Sequence, residues 1–359
     1  MLDLVDDLSP DEKTRLRSRF VAGLATEAAA PTNSLLGNPA ALAEAARSRG
    51  RSLLNGTRHY LHDLRANGGM PSMVDTRPFV VGETIAATTG AVVYRDEVLE
   101  LLQYRPLTPQ VHARPLFVVP PQINKYYVLD LAPGRSLAEA ALEAGQQVFM
   151  VSWRNPRPEH ASWSLDTYVT SLLAATDAAR EITGQADLNL LGVCAGGITS
   201  AGLLGYLAAT GDDRVHSVTF LVTALDWDVP STMGTFASGP SVSAAMARSR
   251  RKGVLEGREL AGMFAWLRPN DLVWNYWVNN YLLGRTPPAF DILAWNADAT
   301  NLPAGLHADF LTISSDNRLA RPGGLEVLGA KVDLAAVGCD AYVVGGLTDH
   351  IIPWQSCYR

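Results

Sequence analysis

The chain has 359 residues, 47% of them hydrophobic and 18% charged, as in a folded soluble protein with one large α/β domain or two smaller ones. A net charge of −6 argues mildly against a nucleic-acid surface, no Lys/Arg run suggests one, and with no stretch of about 18 uninterrupted apolar residues no membrane span is expected. Residues 1–19 lack the apolar core of a secretory signal, and Cys194, Cys339 and Cys357 form neither a disulfide framework nor a metal-binding spacing; a reduced, cytoplasmic setting without a bound metal is expected.

Residues 1–95 read as a helical, non-catalytic region. Leu53, Leu54, His59, Tyr60, Leu61 and Leu64 recur there with a roughly helical period among Arg and Asp. From about residue 98 short apolar runs alternate with helical stretches. Leu116, Phe117, Val118 and Val119 form a strand that ends in Pro120-Pro121. Ser136 opens a helix, with Glu139 completing a capping box and Gly145 as the stop. Residues 147–152 are the next strand. Leu165, Val169, Leu172, Ala175, Ala179 and Ile182 mark one face of a helix that stops at Gly184. A strand over 188–193, a helix over 195–209 and a strand over 215–222 follow. This alternation implies βαβ units around a parallel sheet. Residues 229–335, rich in Trp, Asn, Pro and Gly, read as a cap inserted into a core that spans 96–228 and resumes over 336–359. A last strand is expected at 341–344.

The sharpest motif is Gly192-Val193-Cys194-Ala195-Gly196-Gly197, between a predicted strand and a predicted helix. It has the pattern of a nucleophile elbow with cysteine at its apex. The turn is tight, so the positions two before and two after the nucleophile must be nearly free of side chain, and Gly192 and Gly196 meet that need. The Ala195 N–H, at the helix N-terminus, would face an oxyanion and favour thiolate at Cys194. Cys339 and Cys357 lack glycine flanks and read as structural.

In an α/β-hydrolase fold the order along the chain is nucleophile, acid, histidine. Asp349, after the 341–344 strand, fits the acid; Asp226, after the 215–222 strand, is the second candidate. His350 adjoins Asp349, and neighbouring side chains point apart, so the acid would hardly orient that ring toward Cys194. The other histidines, His59, His62, His112, His160, His216 and His307, all precede Asp349. The triad is expected to be incomplete, and the core with it.

The longer segments carry a resemblance. They are Val119-Pro120-Pro121-Gln122-Ile123-Asn124-Lys125-Tyr126-Tyr127-Val128-Leu129-Asp130-Leu131, Val151-Ser152-Trp153-Arg154-Asn155-Pro156, the elbow, Leu267-Arg268-Pro269-Asn270-Asp271-Leu272-Val273-Trp274-Asn275-Tyr276, Trp295-Asn296-Ala297-Asp298-Ala299-Thr300-Asn301-Leu302-Pro303, and Asp349-His350-Ile351-Ile352-Pro353-Trp354. With these in order, the chain resembles class I poly(3-hydroxyalkanoate) synthases over nearly its whole length. The resemblance implies an α/β-hydrolase fold with a helical N-terminal region and an inserted cap. It also implies an acyltransferase that joins (R)-3-hydroxyacyl-CoA units into polyester, releasing CoA, with no metal or organic cofactor. It carries the nucleophile to Cys194 and the acid to Asp349, gives Ile123 N–H as the second oxyanion donor, and has Asp130 shape the site. Its partners would be the acyl-CoA, the growing chain or a granule surface, and a second copy of the protein. In two respects the sequence departs: Gln122 stands where the family usually has Cys, and the family's base lies in a segment beyond the Asp motif, so a fragment or truncated paralogue is expected. The alternatives are a thioesterase or depolymerase, or a catalytically silent granule-associated protein.

Overall fold

The computed structural model describes residues 11–231, 234 and 239–358; residues 1–10 of the expected helical region, and 232, 233 and 235–238 of the expected cap, lie outside them. The chain divides into two compact units. One gathers Met1–Val80 with Arg258–Ala297, and the other gathers Val81–Gly257 with Asp298–Arg359. The 229–335 segment is therefore shared between them.

In the first unit run α1 (Glu12–Ala28), α2 (Pro39–Arg47) and α3 (Arg51–Ala66). Asp11 caps α1 by accepting the Thr14 N–H at 2.9 Å, and Asn38 caps α2 through the Ala41 N–H at 3.1 Å. α3 fits the helical period read from the sequence, but its apolar residues are not the buried ones. Ser52, Gly56 and Asp63 are buried, whereas Leu54, Tyr60, Leu61 and Leu64 are exposed. Gly56 lies so close to Tyr281 that a Cβ there would sit 1.9 Å from the Tyr281 carbonyl oxygen. Asp63 accepts hydrogen bonds from Tyr281 Oη (2.7 Å) and Ser72 Oγ (2.6 Å), so the buried face of α3 holds a polar hub. Around it Tyr60, Trp277 and Tyr281 meet edge to face.

The second unit is built on a seven-stranded sheet. Its strands are β1 (Gly90–Arg95), β2 (Leu99–Tyr104), β3 (Leu116–Val119), β4 (Val148–Trp153), β5 (Leu188–Val193), β6 (Val215–Leu221) and β7 (Asp340–Val344), in spatial order β1-β2-β4-β3-β5-β6-β7. The last five are parallel, as the alternation of strand and helix requires, but β1 and β2 form an antiparallel hairpin and β2 runs antiparallel to β4. The sheet is thus mixed, and β1 lies inside the stretch expected to be helical. Half-exposed strands such as Gly90–Arg95 lack the continuous apolar run by which the central strands announce themselves.

The connecting helices are α4 (Leu137–Glu143), α5 (Leu165–Thr183) and α6 (Ala195–Thr210). Ser136 caps α4 through the Glu139 N–H at 2.9 Å, but the Glu139 carboxylate takes the Gly134 N–H at 2.6 Å instead of closing the expected box. α5 stops at Gly184 in the left-handed region (φ 66°) and buries the expected face except Ile182, which is 45% exposed. α6 is buried along most of its length because it lies against the sheet, and at Gly205 it meets Val332.

Register is what brings distant residues to one place. Val119 of β3 pairs with Gly192 of β5, which pairs with Phe220 of β6; Val193 pairs with Leu221, and Leu221 with Val344 of β7. The C-terminal ends of four parallel strands therefore lie level. The loops that leave them carry residues 120–123, Cys194, Asp226 and Asp349, and the crevice outside such strand ends is where α/β sheets place their sites.

Candidate active site

Cys194 sits between the end of β5 and the start of α6 with φ 50° and ψ −120°. A non-glycine residue there is strained, and the surroundings hold it: its N–H donates to Leu221 O at 2.9 Å, and its carbonyl accepts the Gly197 N–H at 2.9 Å. Each flanking glycine has an identifiable neighbour. A Cβ at Gly192 would stand 2.8 Å from Gly197 Cα, and one at Gly196 would stand 2.3 Å from Val119 O and 2.4 Å from Pro120 O. Gly197, which the sequence pattern did not single out, is under equal pressure: its Cβ would fall 2.0 Å from Thr223 Oγ1. That constraint comes from the loop after β6, out of reach of any local motif.

The thiol is crowded by protein while retaining partial solvent exposure. Burial pushes its pKa above the ordinary value; the Ala195 N–H on the sulfur works the other way, and the negative charge of Asp349 adds to the rise. The helix terminus was expected to favour thiolate, and it does act in that sense, but desolvation outweighs it.

Ile123 lies in the loop that leaves β3. Its carbonyl accepts the Thr300 N–H at 3.3 Å and Asn124 bridges to Ala299, while among the described residues its own N–H donates to no protein acceptor. Trp153 Nε1 donates to Pro120 O at 2.8 Å and fixes the start of the same loop. Gln122 is buried, with Nε2 donating to Thr199 Oγ1 at 2.8 Å.

Asp349 follows β7. Its Oδ1 accepts the N–H groups of Ile351 (2.8 Å) and Ile352 (3.1 Å), so this oxygen caps the loop and orients the carboxylate. Among the described residues Oδ2 has no hydrogen-bond donor. His350 is exposed and makes no hydrogen bond among the described residues. Asp226 is engaged: its Oδ1 accepts Asn317 Nδ2 at 2.8 Å and the Asp228 N–H at 2.9 Å. Asp130 is buried and accepts hydrogen bonds from Thr88 Oγ1 (2.5 Å), Ser136 Oγ (2.8 Å) and Tyr104 Oη (3.2 Å). These bonds tie β2 to the cap of α4.

Four of the remaining histidines are engaged elsewhere. Nδ1 of His59 is 3.2 Å from Asn280 O, and Nδ1 of His307 is 2.9 Å from Ser249 Oγ. His160 accepts the Arg157 N–H and stacks on Trp163, while His216 lies beside Asp187. Cys357, on α11 (Trp354–Tyr358; α7 Gly239–Lys252, α8 Gly257–Leu267, α9 Asp291–Ala297 and α10 Ala304–Ser315 lie between), is buried beside Ala224 and Ile352. Burial, with the charges of Asp349 and Cys194, raises its pKa to about 11. No local motif signals that this thiol lies within electrostatic reach of Cys194. Among the described residues no cluster of His, Cys, Asp and Glu could hold a metal, and no helix is long and apolar enough to cross a membrane.

Residues 115–359 match the family model described as alpha/beta hydrolase fold. The chain belongs to the α/β-hydrolase fold family. Residues 1–141 match a second model, described as the poly-beta-hydroxybutyrate polymerase (PhaC) N-terminus. The chain is 52% identical to poly(3-hydroxyalkanoate) polymerase 1 of Ectopseudomonas oleovorans over 353 residues, which cover 98% of this chain and 63% of that protein. It is 52% identical to polymerase 2 of the same organism (99% and 63% covered), and 43% identical to the polymerase subunit PhaC of Cupriavidus necator (100% and 62% covered). The resemblance drawn from the sequence motifs is thereby borne out. The chain spans just under two thirds of the length of these curated relatives.

Proposed function

We propose that the second unit performs the acyl-transfer chemistry of a poly(3-hydroxyalkanoate) synthase, with Cys194 as nucleophile. The observation that carries this is the elbow. A cysteine is held at φ 50° at the level end of four parallel strands, with the Ala195 N–H on its sulfur and the Asp349 charge close enough to act on its pKa.

Cysteine suits the reaction. The Cys194 thiolate attacks the thioester carbonyl of a 3-hydroxyacyl-CoA; the tetrahedral oxyanion collapses, and CoA leaves as its thiolate. One thioester has replaced another at nearly equal free energy, so the acyl group stays activated until the 3-hydroxyl of the next unit attacks it. Ala195 N–H and Ile123 N–H are the proposed oxyanion donors, and the uncommitted Oδ2 of Asp349 is the proposed anchor for an imidazole that takes the protons. Asp130 supports the site at one remove, by fixing β2 and α4. The polyester product would make a granule surface the working place of the enzyme.

The test is incubation with (R)-3-hydroxybutyryl-CoA, followed by intact-mass measurement and peptide mapping. An adduct on Cys194, absent from Cys194→Ala, is expected. Asp349 is bonded to no histidine among the described residues, and general-base help is a factor of about 10² to 10⁴, so CoA release from this chain should stop near one equivalent. An adduct on Cys339 or Cys357 would overturn the nucleophile assignment. Sustained turnover lost in His350→Ala would make His350 the base. Free hydroxyacid instead of polyester would favour the thioesterase reading.

A further inference from the structure

Gln122 is fully buried, yet only one end of its amide is satisfied. Nε2 donates to Thr199 Oγ1 at 2.8 Å, whereas Oε1 has no hydrogen-bond partner among the described residues. A buried acceptor left unpaired costs free energy, and an apolar side chain of the same shape would avoid that cost. Packing alone therefore gives no reason for an amide here. The reason lies in what the donor end reaches.

Thr199 is itself fully buried in the second turn of α6, and its hydroxyl donates to Ala195 O at 3.3 Å. Because that hydroxyl's proton goes to Ala195, its oxygen is left to accept from Gln122, which fixes the direction of the amide. The chain Gln122 Nε2 to Thr199 Oγ1 to Ala195 O thus links the residue before Ile123 to the residue after Cys194. Nearby, the first turn of α6 touches the same loop through backbone alone, where Gly196 faces Val119 O and Pro120 O. On its other side the loop is tied down by Thr300 N–H on Ile123 O and Trp153 Nε1 on Pro120 O. Of the side-chain hydrogen bonds made by residues 120–123 and 195, the one from Gln122 is the bond that joins the two proposed oxyanion donors.

We infer that Gln122 and Thr199 are positioning residues that set the spacing of the Ile123 and Ala195 N–H groups around the oxyanion. The inference rests on the proposed role of Cys194. Two donors stabilise one oxygen only if both converge on it, and misplacement by about 1 Å can cost about 10²-fold in rate. Substrate contact is not involved, so loss of the link should slow acyl transfer while sparing chemistry at the sulfur that forms no oxyanion.

The experiment measures two rates on the full chain: acylation of Cys194 by (R)-3-hydroxybutyryl-CoA in a single turnover, and alkylation of Cys194 by iodoacetamide. Gln122→Met and Thr199→Val are each expected to slow acylation by about ten- to a hundredfold, with alkylation within about twofold of the parent. Thr199→Ser, which keeps the hydroxyl, should restore acylation. Acylation in Gln122→Met and Thr199→Val equal to the parent's overturns the inference, as does a parallel fall in both rates. Should Gln122→Met not fold, Thr199→Val against Thr199→Ser decides alone. A parent chain that is never acylated at Cys194 overturns the nucleophile assignment and this inference with it.

Discussion

Gly196→Ala puts a single methyl group where the elbow has no room. The added Cβ would stand 2.3 Å from Val119 O, 2.4 Å from Pro120 O and 2.7 Å from Pro120 C, all inside the 3.0 Å that Cβ contacts keep in folded proteins. Every one of these atoms is backbone, so no side chain can turn away; the loop after β3 and the first turn of α6 must separate. Overpacking of this kind costs about 1–3 kcal/mol, and the absence of a yielding neighbour argues for the upper end. Alanine's better helix propensity returns about 1 kcal/mol. The net loss should be about 2 kcal/mol, or roughly 4–8 °C in Tm for a unit of this size.

Gly23→Ala is the control. Gly23 lies inside α1, and a Cβ there meets nothing within 4 Å, so the same substitution should stabilise by about 0.5–1 kcal/mol. Urea midpoints and melting temperatures of both variants, measured beside the parent, give the signs. A Gly196→Ala protein that melts at or above the parent would refute the claim that glycine is required there by backbone contact.

Two further predictions concern the charges around the thiols. The carboxylate of Asp349 opposes thiolate formation at Cys194, so Asp349→Asn should speed iodoacetamide alkylation of Cys194 at fixed near-neutral pH. Asn keeps the oxygen that receives the Ile351 and Ile352 N–H groups, and Asp226→Asn serves as a charge control; unchanged or slower alkylation in Asp349→Asn counts against the proximity of the two groups. Cys357, raised from 9.0 to about 11, holds its proton in the folded state after the unfolded chain has lost it, so its contribution to stability is intact below pH 9 and lost as pH rises to about 11. Referred to their stabilities at pH 8, Cys357→Ala should lose less stability than the parent between pH 9 and 11, and identical slopes in denaturant titrations would show that the thiol ionises without opposition.

What could be read from the sequence follows the distance over which each constraint acts. β3 announces itself because a strand covered on both faces is apolar along its whole length, and Gly184 marks its own φ of 66°. Gly192 and Gly196 were legible because the elbow is a local turn whose requirements fall at fixed offsets from Cys194. Gly197 satisfies as strict a condition, but the atom that imposes it, Thr223 Oγ1, belongs to another strand's loop. The same holds for Gln122: its partner Thr199 lies 77 positions along the chain, and only the register of β3 on β5 brings them together. The leucines of α3 show the converse. Their spacing is helical whichever face is buried, and the buried face is chosen by Tyr281 and Ser72, which Asp63 gathers to itself. A pattern of apolar residues therefore identifies an element, while the polar groups that are hidden identify its partners. In this chain the hidden polar residues Gln122, Asp130, Thr199 and Asp63 each take a partner distant in sequence: Thr199, Thr88, Gln122 and Tyr281. Substitutions at such positions are where sequence-based expectation and measured effect should part most widely, and the sign contrast between Gly23→Ala and Gly196→Ala shows the same rule at the scale of one methyl group.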